Sequence, residues 1–342
     1  MSVKLKDIAN EAGVSISTVS RILSNDTSRK ANKQTVEKVN KIALEMGYFD
    51  IQSNKLSTIT KKTKNIGCVF TSDHESFVSP FFSQILSGIQ EELYNNIYNI
   101  DFHFFTFNLN EFSVENALST IDLDGAVILG RTNLETINQL KSRIKNLVYC
   151  GINTMDQGID EVCCSAYEGV VEEVKYLSNL GHTNIGYIGP TNKQEAVFNE
   201  HRFKGFCDGL EKYNLELNNK YVKDCYLSAS EGYKSIKEMY LENSILPSAI
   251  ICGNDIVAMG VLKALQELKI SIPNEISVVG FDNVEESSFT NPSLTTINVP
   301  KVELGRVAVK ILLDKINKGH KKQLKVAIPF SLIERESSRS IK

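Results

Sequence analysis

The sequence predicts two unlike folds in one chain: a small all-α head, and behind it a much larger α/β core built from two similar halves. Three observations carry this. Apolar residues at helical spacing, broken by a glycine, mark the head; a polar stretch without periodicity follows; and from residue 65 short β-rich runs alternate with amphipathic segments. A length of 342 residues exceeds one ordinary domain and allows two or three cores.

Within the head, Leu5, Ile8, Ala9 and Ala12 recur at helical spacing and stop at Gly13, which supplies the positive φ of a sharp turn. Ser15 caps the next segment, whose apolar residues are Ile16, Val19, Ile22 and Leu23, with Val19 and Leu23 as the expected buried stripe. Thr35, Val36, Val39, Ile42, Ala43 and Met46 then make a third amphipathic helix that ends at Gly47 and covers the first two. From residue 50 to 65 polar residues dominate, as expected of a linker rather than a core.

The core is read as strands at 66–70, 101–107, 125–129, 147–150, 185–188, 249–252 and 276–279, separated by helical patterns. An internal echo divides it. Asn65-Ile66-Gly67 returns as Asn184-Ile185-Gly186, and Gly125-Ala-Val-Ile-Leu-Gly130 resembles Ser248-Ala-Ile-Ile-Cys-Gly253, in the same order before similar helices. Two Rossmann-like subdomains follow, with a small-ligand site at the carboxyl ends of the strands between them.

Charge separates the same two regions. Residues 1–64 hold 12 Lys and Arg against 6 Asp and Glu, a net of +6, so a whole-chain charge of −3 leaves −9 for the remainder. A basic head on an acidic body suits a protein that meets phosphate at one end only. The seven cysteines (Cys68, Cys150, Cys163, Cys164, Cys207, Cys225, Cys252) form no CxxC pair, and His74, His103, His182, His201 and His320 have no acidic or cysteine neighbour at ligand spacing. Reduced buried thiols, no metal and no cofactor are expected. The opening residues carry no apolar stretch before a cleavage site and no run approaches a membrane span, so an unexported, cytoplasmic protein is expected.

The head segment Lys6-Asp-Ile-Ala-Asn-Glu-Ala-Gly-Val-Ser-Ile-Ser-Thr-Val-Ser-Arg-Ile-Leu-Ser-Asn25 resembles the signature of the lactose-repressor (LacI/GalR) family almost position for position. Later blocks extend the resemblance over nearly the whole chain: Leu180-Gly181-His182, Ile188-Gly189-Pro190, Arg202-Phe203-Lys204-Gly205-Phe206, Asn254-Asp255, Gly280-Phe281-Asp282 and 292–297. It implies a helix-turn-helix head on an α/β core of two Rossmann-like subdomains, the periplasmic-binding-protein-like arrangement. The implied domains are 1–49 for DNA binding, 50–64 for the hinge and 65–342 for effector binding and dimerisation. In that core, 65–164 and 294–324 form the N-subdomain, and 165–293 and 325–342 the C-subdomain.

The resemblance also assigns residues. The second helix enters the major groove of operator DNA, where Ile16 and Ser17 set operator choice and Arg21 faces the groove with a fork that fits guanine O6 and N7. Ser15, Thr18 and Ser20 bond phosphates, and Asn25, which closes the motif, is a further DNA-binding residue. A core position is the competing role for Ile16. In the hinge, family members carry Pro-Asn soon after the tyrosine and a small-Arg-x-Leu run that wedges the minor groove. This chain has Asp50-Ile51 and Asn54-Lys55-Leu56-Ser57, with one extra residue before Ile66, so Leu56 or Ile59 takes the wedge role. That departure, like the segment 125–131, resembles the galactose and β-galactoside repressors.

The effector residues carried over are Phe82, Arg202, Asn254, Asp255 and Asp282, whose aromatic face, guanidinium, amide and carboxylates suit a sugar. Helix capping is the competing role for Asp255 and Asp282. The implied protein is a homodimeric repressor of a carbohydrate operon, with double-stranded operator DNA and a small sugar as partners and no membrane. Relatives also use nucleobases or a protein corepressor. An enzyme would have to use Asp255 and Asp282 as a glycosidase pair, with no nucleophile elbow, triad or P-loop in support. A two-lobed transport binding protein would share the core but not the head. The tail, 331–342, lacks the leucine heptads that build tetramers.

Overall fold

The computed structural model describes residues 4–23, 32–46, 63–70, 79–104, 122–130, 134–191, 201–243 and 245–342. In the head, α1 (Leu5–Ala12), α2 (Ile16–Leu23) and α3 (Lys33–Glu45) enclose Ile8, Ala9, Ala12, Val19, Ile22, Val39 and Ala43. Gly13 takes φ +69 at the turn, as its place after the last apolar residue of α1 requires. One stripe residue differs from expectation. Ile22 is buried beside Val19 while Leu23 is only half-buried, because a 3.6-residue repeat places i+3 as well as i+4 on the core face.

Among the described residues the core holds two six-stranded sheets. The first contains β1 (Asn65–Phe70), β2 (Asn99–Phe104), β3 (Gly125–Leu129), β4 (Leu147–Gly151) and β5 (Asp160–Cys163) in the order β2-β1-β3-β4-β5, with β11 (Lys325–Ala327) outside β5. The second repeats that order as β7-β6-β8-β9-β10: β7 (Val222–Asp224), β6 (Ile185–Gly189), β8 (Ala249–Cys252), β9 (Ser277–Asp282) and β10 (Thr295–Asn298). At its edge lies β12 (Ser331–Ile333). β12 runs antiparallel to β10, so the tail is used as an edge strand. Both central ladders are parallel, and their strands are buried along nearly their whole length, as expected of sheets covered on both faces.

The internal echo is now a matter of register. Ile66 of β1 pairs with Gly125 of β3, and Ile185 of β6 with Ala249 of β8. The Asp124 amide donates to the Asn65 carbonyl at 3.0 Å, and the Ser248 amide to the Asn184 carbonyl at the same distance. Helices repeat too. α4 (Pro80–Asn95) follows β1, as α7 (Arg202–Lys212) comes between β6 and β7. Each pairs with a helix that has crossed from the other sheet: α10 (Lys301–Ile316), which follows β10, lies against α4, and α6 (Ala166–Asn179), which follows β5, lies against α7. The two contacts are close enough to need glycine. A Cβ at Gly88 would stand 1.9 Å from the Val302 carbonyl oxygen, and one at Gly205 2.5 Å from that of Tyr167. Among the described residues the remaining helices are α5 (Leu134–Arg143), α8 (Ala229–Glu242) and α9 (Asp255–Glu267).

Along the described strands the chain thus passes between lobes three times, after β5, after β10 and after β11. Two of these passages differ from the expected subdomain limits. Residues 295–298 belong to the second sheet, because Thr295, Thr296 and Ile297 are buried and paired with Val279, Gly280 and Phe281; residues 325–327 belong to the first, paired with 161–163. All seven cysteines are free thiols, six of them buried. Among the described residues no His, Cys, Asp and Glu group suits a metal, and no helix is long and apolar enough to cross a membrane.

Candidate DNA-reading helix and effector cluster

At the start of α2 the Thr18 amide donates to Ser15 Oγ at 3.1 Å, and the Ser15 hydroxyl lies 2.8 Å from both Ser17 Oγ and Thr18 Oγ1. This N-cap leaves Ser15, Ile16, Ser17 and Ser20 exposed on one side of the helix. Ile16 is 47% exposed while Val19 and Ile22 are buried, so the core role for Ile16 fails. Arg21 sits one turn on, and its Nε donates to the Ser17 carbonyl at 3.2 Å. Asn25 and Leu56 lie outside the described residues.

Four of the five candidate effector residues stand on the second lobe at the carboxyl ends of its strands. Arg202 opens α7 and is 3% exposed, its guanidinium carbon 5.8 Å from the centre of the Phe281 ring. Asn254 and Asp255 follow β8, and Asp282 ends β9. Phe82, near the start of α4 in the first lobe, meets Phe70 and Phe81 edge-on with ring centres 6.0 and 5.2 Å away. Tyr226, just before α8, is exposed.

The capping role expected of Asp255 belongs to its neighbour. Asn254 Oδ1 accepts from the Val257 amide at 2.9 Å. Asp255 braces the site instead: Oδ1 accepts from Thr296 Oγ1 at 2.6 Å and Oδ2 from the Val284 amide at 2.8 Å, joining the βα turn to β10 and to the turn after β9. Burial pushes its carboxyl up to about 8, and the Asp282 carboxylate adds to the rise, against the lowering effect of those two hydrogen bonds and of Lys301.

Asp282 does not cap a regular α-helix either. It has φ +110 and Asn283 has φ +51, two successive non-glycine residues in the left-handed half of backbone space. The turn is held from several sides. Lys301 Nζ donates to its carbonyls, Arg335 donates to Asn283 Oδ1 at 2.7 Å, and the Asn283 amide side chain donates to Asn298 Oδ1 at 3.0 Å.

Sequence reasoning missed Glu173, Lys301 and Arg335. Glu173 lies on α6, wholly buried, and neither carboxylate oxygen accepts a hydrogen bond. Burial raises its pKa well above the carboxylate range; Asp255 and Asp282 push the same way, and Arg202 opposes them. The available signal was a charged residue at a position where helical periodicity from Gly169, Val170, Val174 and Leu177 demands an apolar one. The histidines also find partners that local spacing conceals. His182 Nδ1 lies 2.9 Å from Ser248 Oγ, and His320 reaches Asp314 and Asp160 at 2.6 and 2.9 Å.

A basic helix-turn-helix head and a duplicated α/β core with buried polar groups at its strand ends define a DNA-binding regulator with a ligand-binding core. Residues 4–49 match the model of bacterial regulatory proteins of the lacI family, and residues 174–338 match the periplasmic binding protein-like domain. The chain is 30% identical to the HTH-type transcriptional repressor PurR of Haemophilus influenzae (strain PittEE), covering 98% of this chain and 99% of that one. With the HTH-type transcriptional repressor MelR of Bacillus subtilis (strain 168) it shares 29% over 98% and 97% of the two chains. Among solved structures, a LacI family transcriptional regulator from Enterococcus faecium with bound ribose superposes with a TM-score of 0.68 at 27% identity, over 81% of this chain and all of the other. This chain belongs to the lacI family of bacterial transcriptional regulators.

Proposed function

We propose that the protein is a repressor of a carbohydrate operon, binding a pseudo-palindromic operator as a homodimer and releasing it when a sugar lodges between the lobes. The observation that carries the effector reading is the convergence of Arg202, Asn254, Asp255 and Asp282, all buried, at the carboxyl ends of the second sheet, where fixed donors and acceptors match adjacent hydroxyls. The ribose-bound Enterococcus faecium relative supports the sugar class. Homodimerisation follows from the size of the head, since one short reading helix offers few base contacts and two double them. Sugar binding changes the relation of the lobes and thereby separates the two heads.

The test is calorimetric titration of the full chain, with and without its selected operator, against galactose, β-galactosides, ribose, cellobiose and purine bases. A sugar that lowers operator affinity must itself lose affinity by the same factor when operator is present, typically about 5–150-fold. Arg202→Ala should leave operator binding intact and remove the sugar response. Release of DNA by the variant at the wild-type sugar concentration would remove Arg202 from the effector set, and binding of a purine in place of every sugar would move the protein to the nucleobase branch.

For the head, Arg21→Ala is expected to weaken operator binding by about 1–3 kcal/mol if the side chain forks onto guanine, with a smaller loss on random DNA. Equal losses on operator and random sequence in a mobility-shift comparison would make Arg21 a phosphate contact. Exchanging Ile16 and Ser17 together should alter the operator recovered by binding-site selection.

A further inference from the structure

Lys301 is the first residue of α10, the helix that leaves β10 for the first lobe. A helix N-terminus disfavours a cation, and this one is 97% removed from solvent by burial among β9, β10 and their turns, where its relative exposure is 3%. Burial accordingly lowers its pKa, while Asp282, Asp255 and Cys164 act to raise it. The ammonium is retained there by three acceptors, one for each of its N–H groups: the carbonyl oxygens of Asp282, of Asn283 at 3.1 Å and of Val299 at 3.2 Å.

Two of those carbonyls belong to the residues with positive φ at the end of β9 and just after it, Asp282 and Asn283. The backbone carrying Asp282 is therefore held in its strained form by a side chain rooted on a helix of the other lobe. The same helix packs on α4 through Gly88, and α4 bears Phe82. We infer that Lys301 is a positioning residue, a strap that fixes the Asp282–Asn283 turn of the second lobe to α10 of the first, so that a ligand engaging Asp282 acts on the interlobe connection directly. The ligand clause rests on the effector reading given above; the strap does not.

Two readouts on the full chain separate the two. Hydrogen exchange without ligand reads the strap. In Lys301→Met the amides of Asn283 and Val284, bonded to Thr296 Oγ1 and Asp255 Oδ2, should exchange about tenfold faster than in wild type, while the amides of α4 and α8 keep their rates. Lys301→Arg, which retains charge and donors, should restore them. Uniformly faster exchange in Lys301→Met, shared by Lys301→Arg, makes the residue ordinary packing and overturns the proposal, as do unchanged rates at Asn283 and Val284. Calorimetry with galactose, ribose and cellobiose reads the ligand clause: a sugar that binds wild type should bind Lys301→Met about tenfold more weakly, by the same local opening. Equal affinity overturns that clause. If none of the three binds wild type, the effector reading fails for these sugars, and the exchange result alone decides the strap.

Discussion

Gly88→Ala is expected to destabilise the core by about 1–3 kcal/mol, opposite in sign to the usual effect of that substitution inside a helix. Alanine in place of glycine at an open helical position adds about 1 kcal/mol of helix stability. Here the new methyl would stand 1.9 Å from the Val302 carbonyl oxygen and 2.8 Å from its carbon, both backbone atoms in the first turn of α10. Neither atom can rotate away. The two helices must separate, giving up the close approach that Gly305 also permits, since a Cβ added there would stand 2.1 Å from the Ile85 carbonyl oxygen. Ser87→Ala, on the exposed side of the same helix, should lie within about 0.5 kcal/mol of wild type. Urea unfolding of the three proteins decides the matter; a Gly88→Ala midpoint at or above wild type would mean that the helices have room the structure does not show.

That contact shows where sequence reading stops. The glycine is visible in the chain, but its neighbour lies more than two hundred positions away on a helix that has crossed between sheets. What was legible was local. The period of α1 and α2, the turn at Gly13 and the apolar runs of β1, β3, β4, β6, β8 and β9 are written in consecutive residues, and the echo of 65–67 in 184–186 shows the duplication. Strands β7, β11 and β12 were not legible because each is three residues long and none is fully buried. β5 was hidden by composition: Asp160 and Glu161 resemble a loop, yet both are buried, Asp160 against Lys315, His320 and the Leu324 amide and Glu161 against the amides of Met155 and Asp156. At the effector cluster the family motifs supplied Arg202, Asn254, Asp255 and Asp282. They could not show that Lys301 and Arg335 fasten the turn, because those contacts join residues 18 and 52 positions apart; the cap on α9 is local, but Asn254 and Asp255 are both good capping residues and only the geometry separates them.

Glu173→Met should stabilise the protein by about 1–3 kcal/mol at neutral pH, the usual cost of a buried polar group left without a hydrogen bond. Glu173 shares its surroundings with Asp255, Asp282, Arg202 and Lys301, three acids against two cations, and both its oxygens lack donors. Methionine keeps the length of the side chain and leaves two acids facing two cations. The sign of the pH dependence follows from the raised pKa. A carboxyl that titrates higher in the folded state contributes stability that is complete below about 4.5, its ordinary value, and is lost as pH rises through its folded value, since the unfolded chain ionises first. The advantage of Glu173→Met over wild type should therefore be smaller at pH 4.5 and grow towards pH 8. Denaturant midpoints of both proteins at those two values test this: a constant advantage would mean that the Glu173 carboxyl titrates alike in the folded and unfolded chains, and one that shrinks with pH that folding favours its ionised form. The same variant should change the effector response more than operator binding, because Arg202 loses a neighbouring carboxyl that the head does not share. A stability gain accompanied by an altered sugar response would account for an acid at a position where helical periodicity calls for an apolar side chain.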